Sequence, residues 1–501
     1  MFLAAILWTT QLIAAQADTQ DRISQAERLR DAGNFTAAGD LLRVQVAQNP
    51  NDGEAARLLA QTLYWLKDIP GARAAYETAL ARHPEDTTLR LQYARMLAET
   101  GEHARARELL TPLLGIPATR AEAETLMGML AYWEGDLSGA RKRFRDALQA
   151  NPNQEEARRQ LREILSSTAP WVRLSSSGWS DNQPVDWVAA GIEAGWFATP
   201  LTQFTARVQP TQYWANALTQ TVGLAEIAVA NYAPVAHLET ELAAGAVRRS
   251  QGIDAWDWTG RAALGFRLPK HVTLRTRFER TPYFQTISSL TTPVMVNTVT
   301  ALLHFGDVRG WLGEAAYQRQ MYPDNNAVQI AYGWLLAPLV RRSAVEVQAG
   351  YAFADSNADS IRFVLAQPVQ PFLPSDPRFD LAGVYSPYFT PIHQVVHSAL
   401  ASFTLGPAGK TNFRVDGSYG FHATDDAPFF AVSGGQTALS TYPRTFTPWN
   451  VRASLNVKLR EGLTLEPNAE MGRTVFYSWV TAGLRLTYHF PGASAPPAGA
   501  K

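Results

Sequence analysis

His393 and His397 stand four residues apart. That spacing suits a shared metal ion on a helix, but on a strand it separates two imidazoles by about 13 Å, too far for one ion. Both read as structural histidines. Gly409-Lys410-Thr411 has the ending of a phosphate-binding loop, yet the opening glycine of that motif would fall on Thr404, and Pro407 interrupts the segment, so it reads as a turn. Asp425-Asp426 offers two carboxylates to a hard cation; with no further ligand pattern, it reads as a solvated acidic loop. No Gly-x-Ser-x-Gly elbow is present, and the chain has no cysteine, which removes disulfides, thiolate metal sites and cysteine nucleophiles together. No catalytic residue, metal or cofactor is assigned, and the chain is expected not to be an enzyme.

Its aromatic and charged side chains offer a different chemistry. The chain holds 14 Trp, 17 Tyr and 22 Phe, more than one packed core needs. Towards the C-terminus they alternate with polar residues. Phe490, Tyr488, Leu486, Leu484, Ala482, Val480 and Phe476 fall on one face, and His489, Thr487, Arg485, Gly483, Thr481, Trp479 and Tyr477 on the other. On the wet face, Tyr477 and Trp479 present flat apolar surfaces on which sugar rings stack, and Arg485 presents donors for hydroxyls; packing of a plug is the other reading of such rings. Upstream, Trp256, Trp258, Leu264, Phe266 and Leu268 oppose Asp257, Thr259, Arg261 and Arg267, and Val272, Leu274 and Phe278 oppose Arg275, Arg277 and Glu279. The wet face carries both signs of charge.

Faces of this kind need strands. From Pro170 onward the apolar period is 2, with β-branched and aromatic residues in place of alanine-rich runs. Short connections are expected at Thr199-Pro200-Leu201, Ala233-Pro234-Val235, Pro269-Lys270, Gly306-Asp307, Ala337-Pro338, Gly406-Pro407-Ala408 and Glu461-Gly462. Long ones are expected at Thr281 to Pro293, Asp355 to Pro391 and Ala423 to Arg444. Short and long connections alternating along the chain are how bacterial outer-membrane barrels distribute periplasmic turns and extracellular loops. The spacing predicts an antiparallel transmembrane β-barrel of roughly sixteen strands. No stretch after the N-terminus holds the roughly 20 consecutive apolar residues that a membrane-spanning helix requires.

The first part of the chain has another period. Laid out every 34 residues, Gly33, Lys67, Gly101 and Gly135 align, as do Ala38, Ala72, Ala106 and Ala140, and Leu42, Tyr76, Leu110 and Phe144. Pro50, Pro84 and Pro152 close three of the four units. This is the spacing of tetratricopeptide repeats, which Gly33-Asn34-Phe35 resembles directly: a glycine turns the first helix into the second, a small residue allows close approach, and a large one fills the gap. Four units predict eight helices, and Gln154 to Ser166 reads as the capping helix. Ahead of them, Met1 to Ala17 is apolar and ends Ala15-Gln16-Ala17, a signal-peptide cleavage pattern, although no Lys or Arg precedes the apolar run. The expected organisation is a signal peptide over 1–17, a periplasmic repeat domain over 18–168, an outer-membrane barrel over 169–490 and a disordered tail over 491–501.

Lys plus Arg and Asp plus Glu both number 45, so no basic excess points to nucleic acid. The order of parts resembles the tetratricopeptide-repeat outer-membrane exopolysaccharide exporters, above all the cellulose synthase operon protein C family. Gly383-Val384-Tyr385-Ser386-Pro387-Tyr388-Phe389 is similar to a Tyr-Ser-Pro-aromatic segment of that family's C-terminal domain. The resemblance implies a pore for a cellulose-like β-glucan, with Tyr385, Ser386, Pro387 and Tyr388 joining Tyr477, Trp479 and Arg485 as candidate contacts. The partners it implies are outer-membrane lipid, the polysaccharide cargo and, through the repeats, periplasmic or inner-membrane synthase components. A closed barrel serving as anchor or surface receptor, with the repeats recruiting a partner, is the alternative.

Overall fold

The computed structural model describes residues 21–251, 255–269, 271–292, 294–375, 378–407 and 411–490. The expected signal segment and tail lie outside these residues, as do Gly409 and Lys410. The chain forms two compact units that divide between Ile164 and Leu165.

The first unit is helical. Helix α1 (21–31) is followed by α2 (Phe35–Gln48), α3 (Gly53–Trp65), α4 (Ile69–Arg82), α5 (Thr87–Glu99), α6 (His103–Leu110), α7 (Pro117–Trp133), α8 (Leu137–Ala150) and α9 (Glu155–Ser167). The period-34 positions explain the stacking. Gly33, Lys67, Gly101 and Gly135 all take left-handed backbone, φ 77°, 65°, 88° and 81°, where the chain reverses between the paired helices. Five residues on, Ala38, Ala72, Ala106 and Ala140 are fully buried, and Leu42, Tyr76, Leu110 and Phe144 fill the space beyond them. Asn34, Asp68 and Asp136 each cap the second helix of their repeat through a side-chain oxygen that accepts from the backbone three residues on. Glu102, one methylene longer, makes no such cap and instead receives Arg73.

The second unit is a sheet closed on itself. Its strands are β1 (Trp171–Asp181), β2 (Asp186–Thr199), β3 (Thr202–Ala215), β4 (Leu218–Ala233), β5 (Leu238–Arg249), β6 (Trp256–Leu268), β7 (Val272–Pro282), β8 (Met295–Val308), β9 (Trp311–Met321), β10 (Ala327–Arg342), β11 (Val345–Ala358), the short β12 (Phe363–Leu365) and β13 (Gly383–Tyr385), β14 (Gln394–Leu405), β15 (Asn412–Ser433), β16 (Gln436–Thr445), β17 (Trp449–Arg460), β18 (Leu463–Arg473) and β19 (Ser478–His489). Each barrel strand pairs antiparallel with the next, and β1 pairs with β19 in register Trp171 to His489, which closes the ring at sixteen strands. Closure pairs both edges of the strands within the ring, the condition for spanning lipid. β12 and β13 pair only with each other, inside the long β11–β14 connection. No helix among the described residues is long and apolar enough to cross a membrane.

Side-chain parity follows the pleat. Leu174, Ile192, Val208, Ile227, Leu242, Trp258, Val299 and Leu484 stand exposed on the outer face, while Arg173 pairs with Glu193, Arg207 with Glu226 and Arg261 with Glu241 on the inner one. Short turns join the strands at the end where β1 begins and β19 finishes; the long connections lie at the other end, together with the short β3–β4 turn.

Three expectations need correction. Gly306-Asp307 lies within β8, and the turn falls on Arg309-Gly310, whose φ of 57° and 91° supply the left-handed pair that a tight hairpin demands. Ala337-Pro338 lies within β10, at a register shift between Pro338 and Val340 that tolerates a residue with no N–H to give. Ala423 to Arg444 is no loop: β15 runs on past its barrel partners and pairs with β16 as a hairpin. Pro428 and Pro443 disguised this segment, since beyond the ring the hairpin has no further barrel strand laddered along it and a proline is tolerated there.

Candidate functional site

The lumen is lined by paired charge. Arg261 reaches Glu241 at 2.6 Å, Glu226 at 3.4 Å and Glu279 at 3.9 Å; Arg267 and Arg275 share Glu239 at 2.5 and 2.6 Å; Arg277 faces Glu279 at 3.7 Å. Arg173 meets Glu193, Arg452 meets Glu470, and Arg485 meets Glu466 at 3.4 Å. Strands β1–β7 and β15–β19 therefore carry a band of mutually neutralised ions. Across the lumen, the inner faces of β8 to β11 and β14 are mostly uncharged, with Thr298, Gln320, Ser356, Gln394 and Ser398 among their residues.

Two connections cover the long-loop end. The first, between β7 and β8, carries a short helix α10 (Ile287–Thr291) capped reciprocally by Thr286 and Ser289. Its Leu290 packs with Val185 and Ala215, from the β1–β2 and β3–β4 ends. The second is the β11–β14 connection. The backbone of Leu381 exchanges hydrogen bonds with Phe430 of β15, the Phe389 N–H donates to Tyr283 Oη at 3.1 Å, and the Phe389 ring stacks on Phe476 at 4.4 Å. Tyr283 follows β7, and Phe476 lies between β18 and β19. Eight strands separate these two points either way round the ring, so Phe389 touches opposite walls and the mouth is spanned. The two connections are tied to each other, because Thr286 Oγ1 donates to the Pro387 carbonyl.

A latch holds the second connection down. Tyr388 is buried, stacked on Tyr322 at 3.6 Å, and its hydroxyl donates to both oxygens of Asp324 at 2.7 and 2.8 Å. Arg362 donates to the same carboxylate at 2.5 Å. Burial and the bond to Asp324 push the Tyr388 hydroxyl up to about 12. Burial would raise the Asp324 carboxyl, but the bonds from Arg362 and Tyr388 outweigh it and hold it below its ordinary value.

An arc of aromatic rings runs from the cover onto the wall at the mouth. Tyr385 meets Phe389 at 4.7 Å, Phe476 meets Tyr477 at 4.8 Å, Tyr477 meets Trp179 at 6.1 Å, and Trp179 stacks with Trp479 at 5.3 Å and Trp187 at 6.4 Å. Trp187 continues to Tyr213 at 6.4 Å, and Tyr213 to Phe284 at 5.3 Å. All these spacings suit aromatic contact.

Of the residues singled out by sequence, Tyr477, Trp479 and Tyr385 stand in this arc. Arg485 lies deeper in the lumen on Glu466, and Tyr388 is enclosed by the latch. Ser386 and Pro387 sit between Tyr385 and Tyr388, with Pro387 bonded to Thr286. Phe476 requires correction: it precedes the strand, which begins at Ser478, so alternation does not reach it and it turns inward onto Phe389. Sequence reasoning missed Trp179, Trp187, Tyr213, Phe284 and Phe389. The first three were findable, since the parity that exposes Leu174, Val188 and Val208 puts them on the inner face.

Asp425 also departs from the expected solvated loop. It is buried in β15 and receives Arg444 through two bonds, at 3.0 and 2.6 Å, while Asp426 pairs with His393 at 2.8 Å. His397 points elsewhere, to Tyr351 Oη at 2.7 Å.

Comparison with known proteins finds a tetratricopeptide-repeat family model matching residues 66–130. Over 141 residues the chain is 32% identical to cellulose synthase operon protein C of Pseudomonas fluorescens (strain SBW25), a match covering 26% of this chain and 11% of that protein. The protein of the same name from Komagataeibacter xylinus is 27% identical over 165 residues, covering 29% of this chain and 12% of that one. The matches thus span about a tenth of the length of these curated relatives. Among solved structures, one described as a bacterial polysaccharide outer membrane secretin overlays 64% of this chain and 99% of that chain, at 7% identity and a TM-score of 0.47.

Proposed function

We propose that this chain is an outer-membrane pore through which an exopolysaccharide leaves the cell. The observation that carries the reading is an arc of aromatic rings inside a closed barrel. A transmembrane barrel has no packing need for Trp179, Trp187 and Trp479 to line one side of its lumen, whereas a sugar chain stacks on such rings without being gripped at one place. The similarity to cellulose synthase operon protein C favours a cellulose-like β-glucan as cargo. Short turns in outer-membrane barrels face the periplasm and long connections face outward. That orientation puts the start of β1, and the repeats preceding it, on the periplasmic side, where they dock synthesis or scaffold proteins. Transport requires no chemical step, so the pore is no enzyme, and the covered mouth must open for cargo to pass.

The spanned mouth also favours a second reading, a closed barrel serving as anchor or surface receptor. Planar-bilayer recording separates them. An exporter gives little conductance as wild type and large, stable openings when Phe389→Ala and Tyr388→Phe release the cover. A barrel that stays silent in the released variant, while its deletion leaves polysaccharide secretion intact, is an anchor.

A further inference from the structure

Under the cover, against the uncharged arc of the wall, lies a cavity of about 600 Å³. Its size is that of a small-molecule site, for which roughly 300–1,000 Å³ is usual. Its lining contains no Asp, Glu, Lys, Arg or His, in a lumen whose other arc is banded with ion pairs. Phe389, Phe476 and Tyr477 supply flat apolar surfaces. Thr298, Gln394, Ser356 and Ser398 line it with side chains that make no hydrogen bond among the described residues, and Gln320 accepts from Tyr322 through its oxygen and leaves its amide nitrogen free.

We infer that this chamber binds a short stretch of an uncharged glycan. Amides and hydroxyls both donate and accept, which matches sugar hydroxyls that do the same, and the aromatic surfaces match the C–H faces of the rings. A uronate carboxylate or an amino-sugar ammonium placed here would exchange part of its hydration for a lining that offers no counter-charge, an unfavourable trade. The chamber thus selects uncharged chains from acidic and basic ones. The inference rests on the pore reading for the direction from which the glycan arrives, but binding and conduction are measured separately.

The test is calorimetric titration of the full-length protein in detergent, as wild type and as Asp324→Asn with its loosened cover, with three hexasaccharides: β-1,4-linked glucose, a uronate and glucosamine. The glucose hexamer binds and the other two bind at least tenfold more weakly. Gln320→Ala with Ser398→Ala weakens glucose-hexamer binding at least tenfold, while heat-modifiable migration shows that the barrel is still folded. Equal affinity for all three hexamers, no binding of the glucose hexamer to either protein, or undiminished binding in the double variant overturns the inference. Selective binding by a barrel that never conducts keeps the chamber and removes the pore.

Discussion

At Lys67 the chain places a side chain where the other three repeats place glycine. Its φ of 65° is left-handed, a conformation in which a Cβ approaches the following carbonyl, and the ammonium lies 5.7 Å from the Tyr64 ring at an exposed position. Lys67→Gly is expected to stabilise the helical unit by about 0.5–1 kcal/mol, the relief of strain exceeding the lost contact. Denaturant titration of the helical far-UV signal checks this, and destabilisation would contradict it. Asp324 gives a second residue-scale prediction. Because its folded pKa is lowered, the latch is fully present above the ordinary value of 3.8 and is lost as pH falls through the folded value. Acid on the long-loop side should therefore raise the open fraction in bilayers, and Asp324→Asn should open at neutral pH and lose that dependence. A wild-type response independent of pH would refute the latch.

Among the elements, β19 tests which face meets lipid. Leu484 stands exposed on the outer face, whereas Arg485 points inward to Glu466. Leu484→Arg is expected to cost about 2–4 kcal/mol if the residue lies near the bilayer midplane, and Arg485→Leu far less, read from urea-driven refolding into vesicles. Equal costs would reverse the face assignment. In the repeats, Asp136→Ala removes the cap on Gly139 and is expected to cost about 1 kcal/mol; no loss of thermal stability would show that packing alone holds α8. The elements also show where sequence signals failed. Pro338 looked like a turn and lies at a bulge, and the β15–β16 hairpin looked like a loop because its strands carry prolines and acids that a two-sided neighbourhood would forbid.

For the molecule as a whole, local residue patterns were enough to specify the two architectures. The 34-residue recurrence of a turn residue, a small residue and a large one can be satisfied only by stacked helical pairs, and alternation with period 2 separates lipid-facing from inward side chains strand by strand. Those patterns are local, so Arg261, Arg267, Arg275, Arg277 and Glu279 could be placed on one face without knowing their partners. The closing pair β1 and β19, the pairing of Arg485 with Glu466, and the cover over the mouth were decided by the tertiary structure. Phe389 meets Tyr283 and Phe476, residues about 90 to 105 positions away in the chain, across a lumen whose existence requires all sixteen strands. No local period encodes such contacts: the ring sets how far apart the walls stand, and only that distance determines which loop reaches across and which rings line the space beneath it.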